Sequence, residues 1–351
     1  MAELPEPEIV DIAGVLQSYA DGDIDLICVL GPTASGKTRY AVRLAKEIDR
    51  LLTCGCLRRS PGGSPVKYGH AEILSADSRQ VYRGMDIGTG KDLSEYDGVP
   101  YHLIDIAEAG AKYNIYEYQK DFEKAYRDIV SRGCVPILCG GSGLYIEAAT
   151  CGYSLPDVPA DPRLRAELEK EDTPALIARL AALKPLHNST DYDTRKRLIR
   201  ALEIALYEAS HPVGRTHFLP KKTYYIGTLV SREERNAKID RRLEARLQEG
   251  MTEEVQRLLD TGVPAEDLIY YGLEYKFVTL YLTGRLGYQD MKGQLAIAIH
   301  QFAKRQMTWF RGMERRGVPI QWLDYTLPET EKIKKIKQLW LAKEATNPKE
   351  E

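Results

Sequence analysis

Short apolar runs alternate with amphipathic stretches along the first 150 residues of the chain. Four runs have the length and composition of buried strands, at 24–30, 72–77, 102–106 and 135–140. Amphipathic stretches with apolar residues at helical spacing lie at 38–49 and 114–133. Because strands that alternate with helices pack as a parallel sheet covered on both faces, we predict an α/β fold.

The pattern changes after residue 150. The stretch 151–190 begins Pro-rich and continues with short helical segments and no strand signals, which predicts a helical insertion. A clear helix is predicted at 191–206, and a strand at 223–230 is expected to return to the sheet. Residues from 231 onward are predicted to be nearly all helical. Residues 50–70 are rich in Pro, Gly and Ser and are expected to form an exposed insertion loop.

These changes of pattern divide the chain into consecutive predicted segments. They are an N-terminal extension (1–23), a phosphate-loop core domain (24–150), a helical insertion (151–190), the core continuation with C-terminal helices (191–324) and a basic C-terminal helix or tail (325–351). A length of 351 residues leaves room for a full α/β core and a second, smaller unit.

The composition is that of an ordinary soluble globular protein, with 43% hydrophobic residues, 28% charged residues and a net charge of −2. No apolar run approaches the roughly 20 residues needed to cross a bilayer. The acidic N-terminus lacks the layout of a signal peptide. Cys54 and Cys56 do not have the spacing of a zinc site, so reduced thiols are expected. A cytoplasmic protein without membrane association is therefore expected. A monomer is also expected, although these features do not determine the oligomeric state.

The sequence GPTASGKT at 31–38 has the spacing of a phosphate-binding P-loop, with Gly31, Gly36, Lys37 and Thr38. A predicted strand precedes it and a predicted helix follows it, which is the context that such loops require. Backbone N–H groups and the helix N-terminus attract phosphate, Lys37 adds a charge, and the Thr38 hydroxyl can bind Mg²⁺. The pattern is typical of nucleotide-binding, ATP-binding-like sites. It leaves open whether the ligand is a nucleoside triphosphate or another diphosphate.

Asp77 follows the second predicted strand, at the sheet edge where open α/β sheets bind their ligands. A carboxylate there can bind Mg²⁺ or accept a proton, but it can equally cap a helix that begins at Ser78. A second Gly-rich turn, GGSGLY at 140–145, places the Ser142 hydroxyl near the same edge. Taken alone, this turn is the weaker signal, because Gly-Gly turns usually serve only to change the chain direction.

Three segments place basic residues at helical spacing. They are 195–200, 232–246 and 303–316. Arg197 and Arg200 share a helix face in the first, and Trp309 and Phe310 lie among the basic residues of the last. A single charged helix face is usually only solvated. Three such segments in a chain with a net charge of only −2 favour local contacts with the phosphate backbone of a nucleic acid.

Several longer motifs occur together in this chain. They are GPTASGKT at 31–38, SADSRQVYRGMDIGTGK at 75–91, HLIDI at 102–106, PILCGGSGLY at 136–145, RKRLIRALEI at 195–204 and AKRQMTWFR at 303–311. From about residue 24 to 324, the chain resembles the tRNA dimethylallyltransferase (tRNA isopentenyltransferase) family. The resemblance implies a nucleotide-kinase-like P-loop fold with an added helical domain that grips the anticodon stem-loop of tRNA. It also implies transfer of a dimethylallyl group from dimethylallyl diphosphate to N6 of the adenosine 3′ of the anticodon.

The resemblance also implies roles for individual residues. The implied diphosphate site comprises Gly31, Thr33, Ala34, Ser35, Gly36, Lys37 and Thr38, with Mg²⁺ as the cofactor at Thr38. Asp77 is implied to be the general base, and Lys37 and Arg242 are implied to assist the leaving diphosphate. The implied tRNA contacts are Asp77, Ser78, Arg79, Gln80, Ser142, Arg165, Lys196, Arg197 and Arg200. Ser142 stands where the family more usually has Thr.

The chain departs from the family pattern in three places. Residues 50–70 are longer than usual, Arg246-Leu247 replaces a usual Met-Leu, and a segment that usually resembles IGYKE is YGLEYKF at 271–277. The last change is expected to affect local RNA contacts and not the chemistry. A Cys/His zinc-finger tail is missing from the sequence, which is typical of the bacterial type.

Other functions fit parts of the sequence. An adenylate isopentenyltransferase would prenylate free AMP, but it does not need the long helical C-terminal region or the basic segments. A P-loop nucleotide kinase would transfer phosphate, but it leaves AKRQMTWFR at 303–311 without a role. A non-enzymatic P-loop switch or RNA-binding protein does not need Asp77, and the base-reading motif of a GTPase is missing from the sequence.

Overall fold

The structure is a computed structural model that describes residues 10–53, 69–153, 158–184, 194–211 and 221–323. The helices in these residues are α1 (Ile12–Ala20), α2 (Lys37–Thr53), α3 (Ile115–Ser131), α4 (Gly143–Thr150), α5 (Pro162–Leu168), α6 (Thr173–Leu183), α7 (Arg195–Ser210), α8 (Arg232–Gln248), α9 (Met251–Asp260), α10 (Ala265–Tyr271), α11 (Leu273–Leu282) and α12 (Tyr288–Arg315). The strands are β1 (Leu26–Leu30), β2 (Ala71–Ser75), β3 (Tyr101–His102), β4 (Val135–Gly140), β5 (Thr223–Gly227) and β6 (Ile320–Trp322). Most of the predicted 50–70 loop and the predicted tail at 325–351 lie outside the described residues.

The six strands form one sheet in the order β3-β2-β4-β1-β5-β6, and every neighbouring pair is parallel. All residues of β1, β2 and β4 are buried, as their continuous apolar runs require of strands covered on both faces. The predicted parallel sheet wrapped by helices is confirmed. Because the strands run in one direction, the segments that follow β1, β2 and β4 meet at one edge of the sheet.

Two apolar clusters flank this edge. In the first, α1 and α2 pack on one face of the sheet, and the buried Ile12 and Leu16 of α1 belong to it. The predicted N-terminal extension thus contains a packed helix. The second cluster joins helices α8 to α12 to the turns that follow β2, through buried residues such as Tyr82 and Met85. The C-terminal helices therefore support one side of the edge where the predicted ligand site lies.

The run at 102–106 does not form the strand that its apolar pattern predicted, because β3 comprises only Tyr101–His102. Leu103 and Asp105 have φ of 67° and 56°, in the left-handed region that a strand cannot contain. The Asp105 N–H donates instead to the carbonyl of Gln80 at 3.1 Å. The apolar pattern indicated burial correctly, but it carried no information about these dihedral angles.

The sheet also has a strand that the sequence did not predict. Residues after 231 were expected to be nearly all helical, yet β6 pairs with β5 at the sheet edge. The buried Trp322 of β6 packs on Gly227, where a Cβ would lie 2.3 Å from the indole ring. A strand of three residues is too short for a period of two to be recognised.

The chain divides into two compact units, one formed by residues 1–151 and 220–351 and the other by residues 152–219. In the smaller unit, α5, α6 and α7 surround a cluster of buried leucines that includes Leu168, Leu180 and Leu202. The sequence division assigned the α7 region to the core continuation, whereas the structure groups it with the helical unit. Among the helices that the structure describes, none combines the length and the apolar composition needed to cross a bilayer.

Candidate active site

The P-loop is a tightly held turn between β1 and α2. Ser35 Oγ and Thr228 Oγ1 lie 2.7 Å apart, and the Thr33 N–H donates to Gln306 Oε1 at 2.8 Å. A Cβ at Gly31 would lie 2.3 Å from Thr228 Oγ1, so the close approach of the chain requires glycine at this position. Contacts from distant parts of the sequence therefore fix the loop in a conformation that leaves its turn open to a ligand.

Asp77 lies two residues beyond the end of β2 and does not cap a helix. Its Oδ1 accepts the Arg79 N–H at 2.9 Å, and the residues after Ser78 form turns. The alternative that Asp77 caps a helix beginning at Ser78 is therefore wrong. The Asp77 N–H donates to Ser75 Oγ at 3.3 Å, which helps to hold the carboxylate at the sheet edge.

Ser142 connects the ends of β2 and β4. Its Oγ accepts the Ser78 N–H at 3.0 Å and lies 3.2 Å from Ser78 Oγ. Gln80 makes a similar bridge, since its Nε2 donates to the Gly90 carbonyl at 3.2 Å and its Oε1 accepts from Ser75 Oγ at 3.3 Å. These side chains, implied to line the base pocket, also fix the shape of the turns around Asp77.

A buried carboxylate on α9 anchors the rest of the SADSRQVYRGMDIGTGK segment. Glu254 accepts three backbone N–H groups, from Asp86 and Ile87 at 2.8 Å and from Gly88 at 3.0 Å. It also accepts the Tyr275 hydroxyl at 2.6 Å. Several residues of this motif therefore serve to fold the wall of the site, while Asp77 to Gln80 near its start and Gly88 to Gly90 near its end line the cavity.

One cavity of about 710 Å³ lies at this edge of the sheet. Most residues of the predicted site line it, namely Thr33, Ala34, Gly36, Lys37, Thr38, Asp77, Ser78, Arg79, Gln80, Ser142 and Arg242. Gly31 and Ser35 are buried and shape the loop beneath it. The fold thus brings together segments of the sequence that are separated by more than 200 residues, from the P-loop to α8.

The cavity has further lining residues that had no assigned role, and the charged and aromatic ones are Arg39, Asp92, Glu95, Tyr96, Lys238, Arg246, Tyr270, Tyr271, Glu274, Tyr275, Lys276, Phe302 and Arg305. Among the residues that the structure describes, eight lysines and arginines and four carboxylates line the cavity, so this part of its wall carries an excess of positive charge suited to an anionic ligand. Lys238 and Arg246 had a signal in the sequence because they lie at helical spacing with Arg242, and Arg305 had one because it lies in the basic segment 303–316.

Lys37 and Arg242 are the two cations implied to assist the leaving diphosphate, and both line the cavity. Burial lowers the pKa of Lys37, and the nearby charge of Asp77 opposes that effect. The Arg242 guanidinium pairs with Asp92 and lies 3.5 Å from the Gly90 carbonyl. Both side chains are therefore held at the cavity wall before any ligand binds, which is the arrangement that electrostatic stabilisation of a leaving group requires.

The oxygen donors of the cavity fit the predicted magnesium ion. Thr38 lies at the start of α2, and its hydroxyl shares the cavity with the carboxylates of Asp77 and Glu95. Hydroxyl and carboxylate oxygens are the hard donors that Mg²⁺ prefers, and the ion commonly keeps several waters and bridges to phosphate oxygens. The donor set therefore suits a metal–diphosphate ligand.

A different group of metal-ligating side chains lies at the opposite ends of the strands. His70, Glu72 and Cys134 come together where β2 and β4 begin. Arg132 bonds both oxygens of Glu72, with Nη2 2.8 Å from Oε2, and His102 Nε2 lies 2.6 Å from Oε2. The hydrogen bonds from Arg132 lower the pKa of Glu72 to about 2, outweighing its burial. Ion pairs account for this group without a metal.

The predicted basic residues of the helical unit differ among themselves. Arg165 donates to both oxygens of the buried Glu203, at 3.0 and 2.7 Å, and Arg200 also pairs with this carboxylate. Arg200 additionally donates to the Val158 carbonyl at 2.9 Å. Lys196 and Arg197, by contrast, have exposed side chains at the start of α7. Arg165 and Arg200 therefore hold the unit together, whatever contact they make with RNA.

The AKRQMTWFR segment on α12 also has structural contacts. Gln306 accepts the Thr33 N–H and donates to the Gly141 carbonyl at 2.9 Å, so it joins the P-loop to the second Gly-rich turn. Trp309 Nε1 donates to the buried Glu147 at 2.7 Å. Phe310 is fully buried and cannot stack on a base. Of the two aromatic residues that lie among the basic residues of this segment, Phe310 therefore belongs to the core.

Comparisons with known proteins agree with this geometry. Residues 80–313 match the family model described as IPP transferase. The chain is 54% identical over 319 residues to tRNA dimethylallyltransferase 2 of Porphyromonas gingivalis, covering 90% of this chain and 99% of that protein. It resembles the crystal structure of the full-length tRNA isopentenylpyrophosphate transferase from Bacillus halodurans, with a TM-score of 0.61, 31% identity, and coverage of 91% of this chain and 96% of that one.

The chain also resembles a solved structure of a eukaryotic dimethylallyltransferase acting on tRNA, with a TM-score of 0.68 and 19% identity over 93% of this chain and 81% of that one. At this identity, the likeness supports the fold alone. The family model matches well over half of the chain, and a relative with more than half of its residues identical matches nine tenths of it. The chain therefore belongs to the IPP transferase family of tRNA dimethylallyltransferases, which are prenyltransferase enzymes.

Proposed function

We propose that this protein transfers the dimethylallyl group of dimethylallyl diphosphate to N6 of the adenosine immediately 3′ of the anticodon in tRNA and releases diphosphate. The observation that carries the proposal is a single cavity, in a member of this family, whose wall contains both the P-loop and Asp77. A diphosphate receptor and a proton acceptor in one cavity suit a reaction in which diphosphate leaves and an amine attacks. We expect the protein to act as a monomer.

The donor end of the reaction needs stabilisation of a leaving group. When the C1–O bond of the donor breaks, its electron pair and negative charge pass to the diphosphate. Backbone N–H groups of the P-loop, Lys37 and Arg242 are positioned to oppose that charge. A magnesium ion held by the Thr38 hydroxyl would neutralise further charge on the diphosphate oxygens.

The acceptor end needs a base, because an exocyclic adenine amine is almost nonbasic. As the N6–C1 bond forms, the amine must lose a proton, and the carboxylate of Asp77 can accept it. The Arg79 N–H occupies Oδ1 of that carboxylate and thereby fixes its orientation. The adenine must leave its stack to reach the cavity, which costs a few kcal/mol that a single-stranded loop lowers.

The RNA itself is expected to contact exposed cations. Lys196 and Arg197 on α7 are exposed and fit phosphate contacts to the anticodon stem-loop. Arg165 and Arg200 are already paired with Glu203, so any contribution that they make to RNA affinity starts from a partly neutralised charge. Because Lys196 and Arg197 are the more exposed residues, we assign to them the larger share of the helical unit's salt-dependent RNA affinity.

One incubation series tests this function against its alternatives. Purified protein with Mg²⁺ and labelled dimethylallyl diphosphate is given a tRNA transcript with adenosine 3′ of the anticodon, the same transcript with guanosine there, or AMP. Prenylated product from the first RNA alone is the expected result. Product from AMP and not from tRNA would favour an adenylate isopentenyltransferase. Steady turnover of ATP or GTP without any prenylated product would favour a kinase or a P-loop switch.

A further inference from the structure

Two departures from the family pattern meet in the cavity wall. Arg246, where the family usually has Met, lies one helical turn beyond Arg242 on α8. Glu274, in the unusual YGLEYKF segment, lies in the first turn of α11. Arg246 Nη1 lies 3.9 Å from Glu274 Oε1, and the two side chains are only 13% and 22% exposed. Neither residue had a role in the sequence prediction, yet both face the ligand cavity.

The Arg246 guanidinium has more N–H donors than its surroundings have acceptors for them. A guanidinium carries several N–H donors in a planar fork. In the part of the chain that the structure describes, its one ion pair is with Glu274 and is longer than a hydrogen bond, and the charge of Asp92 also acts on it. A largely buried cation with unused donors is costly unless a ligand satisfies them.

Arg246 lies beside Arg242, so the wall holds two like charges. A Cβ at Gly90 would lie 1.6 Å from Arg246 Nη2 and 2.9 Å from Arg242 Nη2, so the glycine makes room for both guanidiniums. Burial lowers the pKa of Arg246, and the charge of Arg242 lowers it further. Burial raises the pKa of Glu274, and Arg246 opposes that effect. A ligand with more than one negative charge would relieve the repulsion between the arginines.

The position of Arg246 relative to the P-loop indicates which ligand it binds. Arg246, Arg242 and Glu274 line a narrow recess together with Thr33 and Ala34, which begin the turn of the P-loop. We infer that Arg246 is a second guanidinium ligand of the diphosphate, and that Glu274 holds it at the wall until the diphosphate binds. This inference rests on the proposed function, because it takes the donor diphosphate as the ligand of the P-loop.

Binding of inorganic diphosphate tests the inference without any turnover. Dissociation constants would be measured by calorimetry, with Mg²⁺ present, for the wild type, Arg246→Met and Arg241→Met. Arg241 lies on the same helix but is exposed, and it does not line the cavity, so it controls for loss of one positive charge. Loss of hydrogen bonds to a charged group predicts roughly 10- to 100-fold weaker binding for Arg246→Met. Arg241→Met should bind within about twofold of the wild type.

A double variant separates a diphosphate ligand from a residue that only neutralises Glu274. In the Arg246→Met/Glu274→Gln protein, both charges are removed, so thermal stability should recover relative to Arg246→Met. If Arg246 is a ligand, diphosphate affinity stays low in this double variant. Recovery of affinity together with stability would overturn the inference, as would equal affinities of wild type and Arg246→Met. A wild type that binds diphosphate yet prenylates no tRNA would count against the proposed function alone.

Discussion

The cavity wall and the helical unit both place arginines beside carboxylates, but the arrangements differ. In the helical unit, the buried Glu203 lies at the centre and accepts hydrogen bonds from Arg165, Arg200 and the Asp161 N–H. In the cavity, Arg242 pairs with Asp92 at the rim, and Arg246 has only a long ion pair with Glu274. Basic residues at helical spacing therefore stabilise a fold in one region and remain available to an anion in the other.

The difference lies in the supply of acceptors and not in the arginines. Three hydrogen bonds from two arginines converge on Glu203, and the Asp161 N–H adds a fourth, so these guanidiniums have little left to offer a ligand in the resting protein. In the cavity, eight cations face four carboxylates, and the deficit of acceptors is what a diphosphate would fill. Equivalent substitutions in the two regions should therefore affect different properties, activity in one and stability in the other.

The largest effect is expected from Asp77→Asn. It keeps the Oδ1 acceptor for the Arg79 N–H and removes the negative charge, so the turn should fold while the proposed base is lost. We expect kcat to fall by roughly 10²–10⁴, with little change in the KM for tRNA. Prenylation rates at saturating substrates and the melting temperature measure the two properties. A normal kcat would exclude Asp77 as the base, and a loss confined to donor affinity would instead indicate a Mg²⁺ ligand.

The same isosteric change in the helical unit, Glu203→Gln, should act on stability. Burial raises the pKa of Glu203, but hydrogen bonds from Arg165, the Asp161 N–H and Arg200 outweigh it, so its pKa is lowered overall. Because the arginines are partly exposed, we expect the free energy of unfolding of the helical unit to fall by about 1–3 kcal/mol. Urea unfolding, monitored by proteolytic cleavage within residues 152–219, measures this change. The exposed Glu167→Gln is the control, and equal stabilities of the two variants would contradict the structural role of Glu203.

Local patterns of the sequence were sufficient for most of the fold. β1, β2 and β4 were predicted close to their observed bounds because each is a buried apolar run next to a Gly-rich or polar turn. The P-loop was recognisable because its glycines and Lys37 occupy fixed positions within eight residues. Where a contact between distant residues accompanies an unusual conformation, as at Asp105 with its hydrogen bond to the Gln80 carbonyl, the pattern was insufficient.

The candidate site was predictable only in part, for the same reason. The hydrogen bond between Thr33 and Gln306 joins residues 273 positions apart, and neither residue type indicates the other. The pairing of Arg200 with Glu203 was visible as a spacing of three on a helix, but the burial of Glu203 was not. The sequence therefore predicted the residues that line the cavity well. It was less informative about which basic residues form ion pairs within the protein.

The pH dependence of stability should be governed by the α/β unit, through Glu72. Its pKa is lowered to about 2, chiefly by hydrogen bonds from Arg132, against about 4.3 in an unfolded chain. A lowered folded-state pKa contributes stability that is present above the unfolded value and is lost as the pH falls toward 2. The contribution is at most about 3 kcal/mol. Urea unfolding at pH 7, 5 and 3 should show a smaller acid loss in Glu72→Gln than in the wild type. Parallel pH profiles would contradict this assignment, and Glu167→Gln is again the control.

The smallest effect separates the more exposed cations of the helical unit, Lys196 and Arg197, from those that bond Glu203. Lys196→Gln/Arg197→Gln should flatten the dependence of log K on log salt for tRNA binding by up to about two units, since each phosphate contact contributes a little under one. Neither side chain is buried, so stability should change little. Arg165→Gln is the matched comparison in the same unit, because Glu203 already balances its charge. That change should lower stability and leave the salt slope nearly intact. If the salt slopes of the two variants fell equally, Arg165 would contact RNA in spite of its ion pair with Glu203. The contrast between the helical unit and the cavity would then not extend to ligand binding.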